Sequence, residues 1–487
     1  MKILFIDIDT LRPDHLGCYG YHRDTSPNID KIAEKGIRFD NYYCSDAPCL
    51  PSRTSLITGQ FGIHNGVVGH GGSAADLRKE GEEREFRHHL TQVSLAAMLS
   101  QQDLKTASIS IFPDHHGAWY FNAGFDETYK PDWFNAEDVT PVALEWLEDN
   151  KEEDNWFLHI NYWDPHTPYV APEKIGNPFS NEPLPEWLTP EVLQKHRNLV
   201  GPHKPRELSG YSNYDNPDLP YSPGEIKNMQ DMKTWFDGYD TGIKYTDQHL
   251  GEIFSLLEKQ GIMEETAIII SSDHGENMGE LGIYGEHGTS DYYTHRIPMI
   301  IKWPGQKKNF VDDGLHYNID LLPTLAEMLG AEKKDIWDGE SYAPTIKKGK
   351  SCGRDYLVLS QCAHVLQRSV RFDDWHYIRT YHDGFHLFPD EMLFNIKEDP
   401  HETENVAREN PEVCKDAAYK YLNWYEEMMA TMPYGYNSDP LWQVMQEGGP
   451  EHASDILPDY CEYLKKTGRE DAIPELKKRH PEEFKDS

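Results

Sequence analysis

Basic charge is scarce in this sequence. The 487 residues include 47 Lys and Arg against 83 Asp and Glu, a formal net charge of −36. No basic stripe interrupts the acidic surplus, so phosphate backbones and anionic membrane surfaces are repelled and no nucleic-acid or membrane partner is expected. An anionic substrate is admitted only where Arg, His and a metal concentrate positive charge locally. Cysteine is also sparse: seven residues, odd in number and scattered from Cys18 to Cys461, lack the pairing of a secreted disulfide framework. No apolar run reaches membrane-spanning length, and the N-terminus passes straight into Ile3-Leu4-Phe5-Ile6 without a signal-peptide core or cleavage site. The chain as given is therefore expected in the cytoplasm. Repeats and low-complexity tracts are missing as well.

What is present is enough apolar sequence for a large core. A hydrophobic share of 38% with many Trp and Tyr decides against disorder. Short β-branched and aromatic runs predict strands over 2–8, 106–111, 156–162, 266–272 and 297–303, with helices between them. Ser26-Pro27 opens one helix that Gly36 stops, and Thr140-Pro141 opens another. This alternation implies an α/β fold, a large mostly parallel sheet flanked by helices, over residues 1–350. Residues 351–487 read as a smaller C-terminal antiparallel α+β domain. Its strands fall near 356–360, 369–372, 375–380 and 392–395, followed by a helix over 411–429 and a polar tail, wrapped or mobile, with one helix near 455–466. Residues 170–225, rich in Pro, Asn, Gly and Tyr, resemble a long insertion over the active-site side of the sheet.

Ligands of an open parallel sheet sit beyond the carboxyl ends of its strands. The first strand ends in Asp7-Ile8-Asp9-Thr10, and the next three are followed by Asp114-His115-His116, Asp164-Pro165-His166 and Asp273-His274-Gly275-Glu276. One such Asp serves equally well as a helix cap or turn former, but four on one edge point to a site. Asp9, Asp273 and His274 supply two carboxylates and an imidazole, a hard-leaning set suited to Ca²⁺, Mg²⁺ or Mn²⁺ and poor in the thiolates that favour zinc. Asp7 shares a strand face with Asp9, either orienting the site or as a buried, satisfied acid.

Cys49 precedes a short helix that Pro51 or Ser52 can open and Gly59 closes. Free backbone N–H groups and a positive dipole end favour an anion there, and Arg53, one turn in, adds a fixed positive fork. Cys49 to Gly59 satisfies every fixed position of C-x-P-S-R-x-x-L-x-T-G, and so resembles the signature of the type I sulfatases, members of the alkaline phosphatase superfamily. The resemblance extends through Asp9-Thr10-Leu11-Arg12-Pro13-Asp14, Thr25-Ser26-Pro27-Asn28-Ile29-Asp30, Asp273-His274-Gly275-Glu276 and Arg296-Ile297-Pro298.

The resemblance implies an alkaline phosphatase-like fold and hydrolysis of a sulfate ester, carried by a carbohydrate. It implies that a maturation enzyme oxidises Cys49 to formylglycine, whose hydrate attacks sulfur with one hydroxyl and releases sulfate through the other. By position Asp9, Asp273, His274 and Cys49 become the metal ligands, with calcium ahead of magnesium or manganese and Thr10 standing where a second carboxylate is common. Arg53 would hold the hydrate, and His166 would contact the sulfate and assist departure of the alcohol. The family's Gly-Lys-Trp-His segment is missing. Either His115 or His116 can replace its histidine, and we assign His116. Nine residues before Arg296, where relatives place a sulfate-binding lysine, stands His287. His70, in the Gly-rich run 67–72, is placed at the pocket lining, and Arg368 and Arg371 within reach of a uronate or second sulfate. Two rivals stand beside this reading: a phosphonate monoester or phosphodiester hydrolase of the same superfamily, and a non-catalytic glycan-binding relative.

Overall fold

The computed structural model describes residues 1–78, 90–213 and 219–484. Fifteen strands are found among them: β1 (Lys2–Ile8), β2 (Ile37–Tyr43), β3 (Asp46–Ala47), β4 (Lys105–Ile109), β5 (Glu127–Tyr129), β6 (Trp156–Tyr162), β7 (Thr266–Ser271), β8 (Asn277–Met278), β9 (Tyr284–Glu286), β10 (Met299–Lys302), β11 (Phe310–Tyr317), β12 (Tyr356–Gln361), β13 (Leu366–Phe372), β14 (Trp375–His382) and β15 (Glu391–Asn395). Eight form the main sheet in the order β11-β2-β10-β7-β1-β6-β4-β5. All its pairings are parallel except those of β10, which runs antiparallel to β2 and β7.

The sheet is covered on both faces, which is why its central strands read as continuous apolar runs. Side chains alternate along β1. Leu4, Ile6 and Ile8 pack with Val139, Trp146, Ile243 and Leu250 of the helices Ala136–Asp149 and Met229–Lys259. Ile3 and Phe5 pack with Leu95, Met98, Leu321 and Leu325 on the opposite side. The central strands therefore cannot slip by one residue without exchanging the two cores.

The expected α/β architecture is found, with several changed boundaries. The helix expected to open at Thr140-Pro141 starts at Ala136, because the Asp164 carboxylate accepts the Ala136 N–H at 3.0 Å and ties down the first turn ahead of Pro141. The helix after Ser26 ends at Glu34. Strands β2 and β11 pair with each other at one side of the sheet and were not foreseen, since part-exposed residues interrupt their apolar pattern. The signature helix spans Cys49–Thr58, two residues earlier than Pro51 would start it, because the Ser52 N–H already bonds the Pro48 carbonyl at 3.0 Å. Gly59 closes it with φ 67°, a left-handed conformation suited to glycine.

The second sheet, β15-β14-β13-β12-β3, is antiparallel apart from β3, which joins β12 in parallel and comes from the stretch just before the signature helix. The helix Pro411–Ala430 covers it. The tail wraps the body instead of moving free: Leu457, Tyr460, Leu464 and Leu476 bury themselves with Val200 and Phe385. All seven cysteines are unpaired thiols. Among the described residues no helix is long and apolar enough to cross a membrane.

Arg368 and Arg371 are not pocket residues. Arg368 is buried in a bidentate pair with Asp439 at 2.7 and 2.8 Å, its guanidinium within 6 Å of the rings of Tyr421, Trp424 and Tyr425. Arg371 donates to the Tyr43 hydroxyl and the Asp373 carbonyl. Removing one member of a buried pair strands the other charge. Arg368→Ala should cost about 3–5 kcal/mol, read as a lowered denaturation midpoint; an unchanged midpoint would refute the structural role.

Candidate active site

The carboxyl ends of β1 and β7 and the start of the signature helix converge on one buried cation, Arg53. Its guanidinium donates to Asp7 and, at 2.9 Å, to Asp9, and lies 3.1 Å from Asp273. Phe112 closes the other side, 5.0 Å from the guanidinium to the ring centre. Asp7 thus orients Arg53, and His159 Nε2 stands 3.4 Å behind it.

The backbone is held so that these groups cannot spread apart. Thr10 has φ 56°, uncommon for a β-branched residue, and donates its N–H to Asp273 at 3.3 Å while the Tyr239 hydroxyl donates to its carbonyl at 2.7 Å. Ser52 donates to the Asp273 carbonyl at 2.5 Å, and Asn318 donates to Ser52. Gly275 has no room for a side chain: a Cβ there would lie 2.0 Å from the Tyr293 carbonyl.

Asp9, Cys49, Asp273 and His274 bring one donor atom each within 4.8 Å of the others. The His274 Nδ1–H donates to the Gly275 carbonyl at 2.8 Å, which leaves Nε2 facing Cys49 Sγ at 3.2 Å and Asp273 at 3.4 Å. One oxygen of Asp9 is buried without a hydrogen-bond partner, and the inward oxygen of Asp273 has the Arg53 guanidinium, at 3.1 Å, beside it. Burial, then Asp273 and Glu276, pushes the Asp9 carboxyl well above the usual carboxylate range. Burial also raises the Cys49 thiol, reinforced by Asp9 and Asp273. An orphaned Asp9 oxygen, an Asp273 carboxylate and a His274 nitrogen turned toward Cys49, with one guanidinium shared among three acids, fit a hard divalent cation.

Cys49 opens into a cavity of about 420 Å³ whose wall includes His70, His115, His116, Trp163, His166 and His287. The five histidines expected around the substrate, His70, His115, His116, His166 and His287, are therefore gathered there. The His274 and His287 rings lie 4.1 Å apart, and those of His287 and His166 5.3 Å apart. Burial lowers the His287 imidazole, but Glu286 at 3.2 Å and Glu276 at 3.4 Å outweigh it and hold its pKa up at about 9. His166 donates Nδ1–H to the Thr167 carbonyl; burial and then His287 push it down to about 4. His116 is pushed down to about 3 by burial, then by His115 and Arg53, and its Nε2 is buried without a partner. His115 stands outside it, exposed, against Trp163.

Two of the four strand-end acids are structural. Asp164 caps the helix Ala136–Asp149, and Asp114 pairs with Lys130 at the surface. Conversely, His203, Tyr211, Glu286, His364 and His452 line the cavity unforeseen. His203 and Tyr211 belong to the expected insertion, His364 to the turn between β12 and β13, and His452 to the tail. Only Glu286, beside His287, carried a local signal.

The family model described as Sulfatase matches residues 2–331, more than half of the chain, and that of the N-sulphoglucosamine sulphohydrolase C-terminal region matches residues 279–416. A multifunctional alkaline phosphatase superfamily protein of Trinickia caryophylli is 25% identical, the match covering 82% of this chain and 89% of its own. An N-acetylglucosamine-6-O-sulfatase of Bacteroides thetaiotaomicron is 24% identical over 83% of this chain and 82% of its own. The fold is shared with a protein solved in complex with its substrate D-glucosamine-2-N,6-O-disulfate, at TM-score 0.68 and 19% identity, covering 90% of this chain and 99% of that one.

Cation binding to the Asp9, Asp273 and His274 set should stabilise the fold. At a hundredfold excess over Kd, Ca²⁺ is expected to add about 2.7 kcal/mol to chelator-treated protein, and Asp9→Asn to lose most of that gain. Equal melting midpoints with and without Ca²⁺, Mg²⁺ or Mn²⁺ would remove the cation from this site.

Proposed function

The chain belongs to the sulfatase family, a family of sulfuric ester hydrolases, and from that premise we propose that it cleaves a carbohydrate sulfate ester using a formylglycine made from Cys49. The observation that carries this reading is the placement of Cys49 at the first turn of a buried helix, facing His274, with Arg53 and its carboxylates behind it. A formylglycine-generating enzyme is the implied partner in maturation. Once formed, the aldehyde hydrate would supply a nucleophilic hydroxyl and a second hydroxyl through which the residue regenerates. A divalent cation held by Asp9, Asp273, His274 and residue 49, with calcium the leading candidate, would supply Lewis acidity toward sulfuryl oxygens.

The rest falls to the chain's own side chains. Arg53 holds its positive charge close to residue 49, fixed by Asp7 from behind, and needs no rearrangement to stabilise an oxyanion. His287, kept protonated by Glu286 and Glu276, places a cationic donor where relatives use lysine. His166, its Nδ1 committed to the Thr167 carbonyl, presents Nε2 to the leaving alcohol. Its low pKa is that of the ring without an anion beside it, and a bound sulfate works in the opposite sense. Trp163 and Tyr211 line the same cavity, whose size suits a small ligand held by an apolar wall and a few polar groups.

Aryl sulfate should be turned over faster than a phenylphosphonate ester by the matured enzyme; the reverse order favours the phosphonate hydrolase reading. Mass spectrometry of the Cys49 peptide from cells with the maturation enzyme should show the aldehyde, and a persistent thiol there rules this mechanism out. Cys49→Ala should abolish turnover of a folded protein, which a purely glycan-binding protein would have lacked from the start. His166→Ala should lower kcat by roughly 10²–10⁴-fold.

A further inference from the structure

Between β5 and the helix Ala136–Asp149 the chain reads Pro131-Asp132-Trp133-Phe134-Asn135, a loop with two large aromatic side chains that the main core does not take up. Phe134 is half-buried, and Trp133 leaves 58% of its surface exposed. A single exposed ring needs no explanation, but this one ends a series. The Trp133 and Phe134 rings stack 4.9 Å apart with 28° between their planes. Phe134 lies 5.6 Å from Trp163, and Trp163, which lines the substrate cavity, lies 4.6 Å from His166. Aromatic surface therefore runs without a break from the histidine placed at the leaving alcohol to the outside of the protein.

The loop is fixed to the reacting end from both sides. Asp164, next to Trp163 and two positions before His166, accepts the Ala136 N–H at 3.0 Å, and the Glu137 N–H donates to the Tyr245 hydroxyl at 3.2 Å. At the other end of the loop Lys130 pairs at 2.6 Å with Asp114, beside His115. The exposed His115 ring meets the edge of Trp163 at 4.8 Å, so the aromatic series leaves the cavity at its open side. Rings held in this way need little ordering when a ligand covers them.

Resting on the carbohydrate sulfatase reading, we propose that Phe134 and Trp133 bind the sugar unit next to the sulfated one, so that the substrate is a sulfated oligosaccharide and not a monosaccharide. The C–H face of a pyranose ring is apolar and weakly positive, and packs against the electron-rich face of an aromatic ring while its hydroxyls stay in water. Phe134 covers one side of Trp133, and the exposed area is what such a sugar would cover. Charge favours this occupant over others. Lys130, the cation of the loop, is paired with Asp114, and Asp132 is exposed beside Trp133, so the surface suits an uncharged sugar better than a second sulfate. A second copy of a chain carrying net charge −36 would be repelled.

The matured full-length enzyme is assayed on aryl sulfate, on a panel of hexose, N-acetylhexosamine and fucose monosulfates, and on di- to hexasaccharides built on the same sulfated units. For a sulfated unit that is cleaved, kcat/KM should be about tenfold higher in the oligosaccharide than in the monosaccharide. Trp133→Ala should bring that ratio close to one, mainly through KM, and Trp133→Phe should keep most of it. The ratio is read within each variant, so a general loss of activity does not imitate the result. A ratio near one in the unsubstituted enzyme, or the same ratio in Trp133→Ala, overturns the proposal and leaves the carbohydrate sulfatase reading standing. Turnover of aryl sulfate with no saccharide of the panel cleaved removes that reading, and this inference with it.

Discussion

The burial of Arg53 among Asp7, Asp9 and Asp273 is the constraint on which the site depends. A guanidinium removed from water is tolerated only with good partners, and here they come from two adjacent strands of the main sheet. That requirement fixes the signature helix against the ends of β1 and β7 and thereby fixes Cys49. One cation facing three carboxylates leaves negative charge unbalanced, and the orphaned oxygen of Asp9 shows where the deficit lies. The same arrangement that anchors the fold therefore creates the demand for a second cation.

Around this centre the cavity is assembled from segments distant in sequence. The main sheet supplies the reacting end, the insertion supplies His203 and Tyr211, the second sheet His364 and the tail His452. Because β3 pairs with β12 immediately before the signature helix, the second sheet is registered directly to the reactive residue. The tail reaches the cavity because Leu457, Tyr460 and Leu464 bury an apolar face beside it. The outer wall of the cavity is thus held by hydrophobic packing, and the end at Cys49 by buried charge.

The division also explains what could be read from the sequence. Asp9, Asp273, His274 and Cys49 sit at positions with local grammar: the residue after a buried strand, or the first turn of a glycine-closed helix. The same grammar misleads at Asp164, since a strand-end acid caps a neighbouring helix as readily as it binds a ligand, and that helix consequently begins ahead of Pro141. His364 and His452 carried no signal of their own, since Arg368 and Arg371, the residues singled out near His364, turn away from the cavity; only tertiary packing brings a sheet turn and a tail turn to His70. Arg368 looked available on its strand because the partner that buries it, Asp439, lies 71 positions away.

Histidine in place of lysine changes how the cavity carries charge. A lysine keeps its charge across neutral pH with little help, whereas an imidazole keeps it only where acids hold the proton. Glu286 and Glu276 do this for His287 alone, while burial leaves His116 and His166 neutral. Positive charge is therefore confined to the end where His287 meets His274 and Cys49, and the outer wall offers uncharged donors and acceptors with two aromatic faces. Such a gradient accommodates one anionic group at the inner end and a hydroxyl-bearing remainder outside it. It also resolves how a chain of net charge −36 can admit an anion: attraction is absent at long range and is supplied only at contact.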